Sequence, residues 1–288
     1  MSWQVRFALG VVAIYTITLV TTIPVMVVLV RSQSLHGNFR AILWVECFTS
    51  VGMSFTIYLT TYWNIFEPEI DFTKTFHNVA LTMLSGVFKS SVFCLTFERV
   101  VAYIYVATYE KLSSRFFSNF LTGFITVTVS VILSLCLYLF GTTAIFYTTF
   151  TVEKVISSLI SLVLYFLIRK RKNKVDTDGY SLGEQFQLNE NYKTTPLYLS
   201  IAVNEAISDL IISSTRLFIE RDVNSQDFQN TLLLSVNHLG NAYKIIFINI
   251  AVIYYYCRQK KTARRVNVEP IHSVQTQEYF KAIERQWS

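Results

Sequence analysis

Charge is scarce in this sequence. Asp, Glu, Lys and Arg make up 15% of its 288 residues, against roughly 25% in an average soluble protein. A water-soluble fold of this size needs more charge to cover its surface, so a soluble enzyme is the first class excluded. Disorder goes with it, because disorder needs low hydrophobicity and high net charge, whereas 52% of these residues are hydrophobic and mean hydropathy is +0.40. Cysteine is sparse too: Cys47, Cys94, Cys136 and Cys257 form no CxxC pair, which argues against a disulfide framework and a zinc site. The four histidines, His36, His77, His238 and His272, are scattered without a His-x-x-x-His, so no catalytic metal and no cofactor is implied. No Asn-x-Ser/Thr acceptor for N-glycosylation occurs. Paired catalytic carboxylates with a histidine and a nucleophile motif are also missing, so the chain does not read as a membrane enzyme. Nor is there an internal repeat of the kind that marks inverted-repeat transporters.

What the sequence has instead is long apolar runs and 23 Phe with 17 Tyr. A bilayer core of about 30 Å requires about 20 apolar residues in a helix. Seven stretches qualify: about 7–30, 41–63, 77–99, 116–138, 148–168, 196–218 and 231–256. The fourth and fifth divide a long apolar stretch at Gly141-Thr142-Thr143, and the sixth qualifies despite Glu205, Asp209 and Arg216. The first run is too long for a signal-peptide core and lacks a small-residue cleavage site, so it reads as a retained span. The expectation is an all-α integral membrane protein with a seven-helix domain over 1–256 and a tail over 257–288. The segment 169–195 reads as a helix extension followed by a loop.

Basic residues orient the bundle, because cytosolic connections are enriched in Lys and Arg. Loop 31–40, the loop after span three, the stretch 169–195 and the tail together hold 17 of them, and the opposite side holds 4. The N-terminus is therefore expected outside and the C-terminus in the cytosol. The net charge of +6 is explained by this topology rather than by nucleic acid. Trp44, Tyr62, Trp63 and Tyr254-Tyr255-Tyr256 fall near the expected interfaces, as an anchoring belt would.

At the inner end of span three stands Phe97-Glu98-Arg99-Val100-Val101-Ala102, followed by Tyr109-Glu110. An acid beside an arginine there can hold the guanidinium at rest, and a freed Arg99 can meet a partner's carbonyls. A snorkelling arginine is the plainer reading of the same dipeptide. A second segment, Ser181-Leu182-Gly183-Glu184-Gln185-Phe186-Gln187-Leu188-Asn189-Glu190-Asn191, leads into span six. With ER-x-x-A and the Tyr-Glu pair, it resembles the nematode serpentine chemoreceptors of the class epsilon type and their alpha-like relatives, a G-protein-coupled receptor family. Gln185 and Tyr103 depart from the family's pattern, which has a basic residue at the first position and often a Thr at the second. The resemblance implies a chemosensory receptor in the plasma membrane of sensory neurons, the sensory cilium included. Its partners would be a small-molecule ligand from outside and a heterotrimeric G protein. Glu98, Arg99, Tyr109, Glu110, Gln187, Glu190 and Asn191 would form the coupling surface. Likeness to rhodopsin-like receptors is poorer: loop 139–147 has no Cys, and span seven has no Asn-Pro-x-x-Tyr.

Charges within spans are costly and suggest function by default. Glu205, Asp209 and Arg216 share one face of span six, and Asn237, Asn241 and Lys244 share one face of span seven. Lys89 lies near the middle of span three. Lys244 is expected to pair with Glu205 or Asp209. These residues can form a polar ligand cavity or activation lock, or a structural network that orders the bundle. A transporter or channel using Lys89, Glu205, Asp209, Arg216 and Lys244 as a polar path is the alternative function. Glu46 in span two reads as structural, with Lys154 at a span boundary. Cys257, beside Arg258, is a candidate for palmitoylation or a plain free thiol.

Overall fold

The computed structural model describes residues 3–31, 37–66, 71–106, 143–173, 182–222 and 226–268, with six single positions between 123 and 135. Long helices account for nearly all of them: α1 (Trp3–Arg31), α2 (Gly37–Phe66), α3 (Asp71–Ile104), α4 (Thr143–Lys172), α5 (Leu182–Asp222) and α6 (Gln226–Val268). There is no strand among the described residues. Each helix contains a segment long and apolar enough to cross a bilayer: Arg6–Arg31, Gly37–Tyr62, Val79–Ile104, Thr148–Lys172, Leu188–Ile219 and Leu232–Lys261. The chain is an all-helical, multi-pass membrane protein. Helices alone satisfy every backbone group internally, which lipid demands of a spanning segment.

Six of the expected spans coincide with these helices. The fourth, 116–138, lies mostly outside the described residues; Gly123, Val127, Thr128, Val131, Ile132 and Leu135 within it are helical. One expectation needs correction. The segment 182–195 is not a loop but the first turns of α5, which continues through Pro196. Between Glu184 and Thr195 there is neither Gly nor Pro, and Leu188, Asn191, Thr194, Thr195 and Tyr198 are buried at helical spacing. Pro196 is exposed, so its ring faces away from the neighbouring helices.

The burial pattern is that of a bundle in lipid. On α1 the outward stripe is Ile17, Val20, Ile23, Val27 and Val30, all exposed, while Thr18 and Thr22 are fully buried. Apolar side chains outside and polar ones inside reverse the soluble pattern. The helices neighbour one another as α1 with α2 and α6, α2 with α3, α3 with α4 and α5, and α5 with α4 and α6. Tyr15, Phe39, Met53, Phe88, Tyr198 and Val252 are among the side chains that fill the core.

Hydroxyls and amides stitch one seam of this core. Thr18 meets Ser54 at 3.3 Å and Thr22 meets Ser50 at 3.2 Å between α1 and α2. Asn249 on α6 donates to Thr21 and Thr22, each at 3.0 Å. Gly240 permits the close approach of α5: a Cβ there would lie 2.3 Å from Ile212 Cδ1.

Candidate functional site

Two polar sites occupy the interior, one at mid-bundle and one at the end where α3 finishes and α5 begins.

At mid-bundle, α4, α5 and α6 bring charges of both signs into a space closed to solvent. Lys244 on α6 pairs with Asp209 and lies 3.4 Å from Glu205 Oε2, both on α5. Lys154 on α4 approaches the same Glu205 oxygen at 3.6 Å and donates to the backbone carbonyl of Lys89 on α3. Lys154, Lys244 and Glu205 are completely buried. The Lys89 ammonium lies 5.4 Å from the centre of the Phe150 ring, within electrostatic reach of Asp209. Glu153 adds a further carboxylate beside Lys154. Such charges are tolerated because each sign is met by the other; several kcal/mol of desolvation per ion is what the pairing must offset. The pairing is incomplete. Glu205 Oε1 and Oε2, Asp209 Oδ2 and Glu153 Oε1 accept no hydrogen bond.

The second site is built around Arg99, which is 2% exposed. Its Nε and Nη2 donate to the two carboxylate oxygens of Glu98 at 2.5 and 2.6 Å, the forked geometry that suits a planar guanidinium. Its Nη1 reaches α5, donating to Asn191 Oδ1 at 3.4 Å and Thr194 Oγ1 at 3.1 Å. Asn191 in turn donates to the carbonyl of Ala102 at 3.3 Å. Ala102 is fully buried, and its small side chain leaves that carbonyl within reach of α5. From α2, the Phe39 ring lies 5.1 Å below the guanidinium, a cation–π contact. Beside this clasp Arg171, near the end of α4, donates to the Tyr103 carbonyl at 3.4 Å. Lys172 reaches Asn189 at 3.4 Å and lies over the Tyr192 ring.

The structure thus gathers Glu98, Arg99 and Asn191 at one site, with Glu190 one turn before Thr194 accepting its hydroxyl at 3.0 Å. Gln187 lies on α5, although its side chain is outside the described set, as are Tyr109 and Glu110 altogether. Lys89, Glu205, Asp209 and Lys244 share the mid-bundle cluster, and Lys244 meets both acids rather than one. Arg216 stands apart from them, donating to Asn237 at 3.4 Å. Asn241 is half-buried one turn before Lys244. Cys257 is an exposed free thiol on α6.

Thr194 and Phe39 were not evident from sequence, because their roles depend on packing between helices. Lys154 was placed at a boundary, yet it is wholly inside. The signal was its position well beyond the start of the fifth apolar run. No protein-family model matches this chain, and no curated protein sequence matches it either.

Proposed function

We propose that this protein is a seven-helix receptor of the plasma membrane. It would bind a small molecule from outside and activate a heterotrimeric G protein through Arg99. The observation that carries this reading is the clasp itself. The two segments that carry the resemblance to the serpentine chemoreceptors, Glu98-Arg99 and Ser181–Asn191, are 92 residues apart at Arg99 and Asn191, yet those side chains bond. An outward swing of α5 breaks the bonds to Asn191 and Thr194 together and bares Arg99 to a partner. Snorkelling does not account for an arginine that turns inward to α5 and is shielded from its surroundings.

Seven spans and a cytosolic clasp follow from the same geometry. The ends of α3 and α4 lie together through Tyr103 and Arg171, so the two helices run in the same direction. A chain that leaves α3 at one end and enters α4 at the other must cross the bilayer in between, which supports a span near 116–138. The clasp lies at the end rich in Arg and Lys, Arg169 to Lys172 among them, which is the cytosolic side by the charge rule.

The test is Arg99→Ala in cells expressing the chain with several G-protein α subunits. Surface level is matched through an N-terminal tag stained in intact cells, which also reads the orientation. Activation is expected to vanish while surface expression persists. Arg99→Lys should rescue poorly, because an ammonium lacks the planar donor fork. Normal signalling by Arg99→Ala would sink the coupling role. The transporter or channel alternative draws on the unpartnered oxygens at mid-bundle; substrate or ion flux in proteoliposomes would favour it.

A further inference from the structure

Glu46 is the odd member of the buried charge. Among the described residues, the middle of the bundle carries three ammonium groups, Lys89, Lys154 and Lys244, against four carboxylates, Glu46, Glu153, Glu205 and Asp209. Lys244 serves Glu205 and Asp209, and Lys154 serves Glu205 beside Glu153. Glu46, on α2, is 4% exposed, and no ammonium or guanidinium lies within ion-pair distance of it among the described residues. Its Oε1 accepts from Ser91 at 2.7 Å, whereas its Oε2 is inaccessible and accepts nothing.

Beside Glu46 lies a cavity of about 10 Å³, lined by Glu46, Ser50, Cys47 and Asn249 with Val25 and Phe88 among its apolar walls. That is room for a single particle of water size. Asn249 commits its Nδ2 to Thr21 and Thr22, which leaves its amide oxygen as its offer to the space. Ser50 contributes a hydroxyl oxygen. An oxygen-lined niche with an unpartnered carboxylate is the donor set a hard cation takes. A neutral water would give Oε2 a hydrogen bond but leave the charge uncompensated in a medium where that is costly.

We propose that this cavity binds one monovalent cation of water size, sodium or hydronium, which neutralises Glu46. The walls come from α1, α2, α3 and α6, so the bound cation ties four helices and stabilises the packed bundle. The charged and titratable groups acting on Glu46 are Cys47 on α2, Lys154 on α4 and Glu205 on α5. From α1, α3 and α6 it meets the neutral Thr22, Ser91 and Asn249 region. The inference does not depend on receptor function, since its readout is stability.

The experiment is thermal unfolding of the purified full chain in lipid nanodiscs, in sodium chloride or choline chloride at equal ionic strength, each at pH 6 and pH 8. If the cation is sodium, Tm rises saturably with it by roughly 3–5 °C at ten times the half-saturating concentration, at both pH values. If it is hydronium, Tm in choline rises on going from pH 8 to pH 6 and sodium adds nothing. Either way Glu46→Gln, which keeps the shape and removes the charge, should lose the dependence. Should Glu46→Gln fail to fold, Ser50→Ala serves instead, with half-saturation by sodium, or the pH midpoint, displaced from the wild-type value. A wild-type chain indifferent to both sodium and pH would overturn the proposal, as would a dependence that Glu46→Gln or Ser50→Ala leaves unmoved.

Discussion

The two polar sites of this bundle hold their helices together in opposite ways. At mid-bundle the ion pairs run between helices: Lys154 on α4 and Lys244 on α6 converge on Glu205 of α5. At the clasp the ion pair runs within one helix, because Glu98 and Arg99 are chain neighbours. What crosses from α3 to α5 there is an amide and a hydroxyl, Asn191 and Thr194. Separating mid-bundle strands buried charges, at about 3–5 kcal/mol for a broken pair. Opening the clasp leaves the guanidinium still neutralised by Glu98 and forfeits hydrogen bonds worth about 1–3 kcal/mol each. The difference suits a lever: α5 is pinned at its middle and free to swing at the end where a partner would enter. A charge pair does not mark a lock unless its partners lie on different moving parts.

The largest effect should come from removing the pin. Lys244→Ala leaves Glu205 and Asp209 buried with only Lys154 and Lys89 near them. It should cost about 3–5 kcal/mol by the values of soluble proteins, seen as a lowered Tm in nanodiscs and reduced surface expression. Pairing it with Asp209→Leu removes the stranded carboxylate and should recover part of the loss. A single variant as stable as the wild type would mean that these charges do not pin α5.

Much of this fold could be read from composition alone, since a run without charge such as 7–30 has few fates other than a membrane helix. Lys244 could be matched to acids on α5 by the same logic, because a lone charge in lipid requires a partner. The clasp was legible only in part. Glu98 and Arg99 attract attention as adjacent charges, but their adjacency suggests a lock that their shared helix cannot provide. Thr194 and Phe39 look like ordinary span residues, and only the packing of α5 and α2 against α3 gives them a role. The start of α5 was obscured for a related reason. Its first turns are polar on the face that reaches Arg99, so they lack the apolar stripe by which a helix is usually recognised.

The middle-sized effect concerns the bonds that cross to α5. Asn191→Ala removes two at once, from Arg99 and to the Ala102 carbonyl, and Thr194→Val removes one. If these bonds hold the resting state, ligand-free signalling should rise about tenfold for each 1.4 kcal/mol lost, until it saturates. Asn191→Ala should exceed Thr194→Val. Because both share Arg99, the double variant should fall short of the sum of the two. Unchanged basal signalling at matched surface levels in both variants would remove α5 from the switch.

The smallest effect should follow from the ion pair that first draws the eye. Glu98→Gln keeps the side-chain shape and can still accept from the guanidinium through its amide oxygen, while α5 remains held by Asn191 and Thr194. Arg99 loses its charge partner but none of the bonds that cross between helices. Ligand-free activity should therefore rise less than in Asn191→Ala, within about threefold of wild type for a change under about 1 kcal/mol. The two variants should also differ in kind. Losing Asn191 loosens α5 and leaves Arg99 paired with Glu98, so maximal ligand-driven signalling should persist. Losing the Glu98 charge leaves the guanidinium uncompensated in a buried site, which should lower Tm even if basal activity barely moves. A Glu98→Gln rise as large as that of Asn191→Ala, with Tm unchanged, would mean that the intrahelical pair is itself the restraint and that the contrast between the two sites has been drawn in the wrong place.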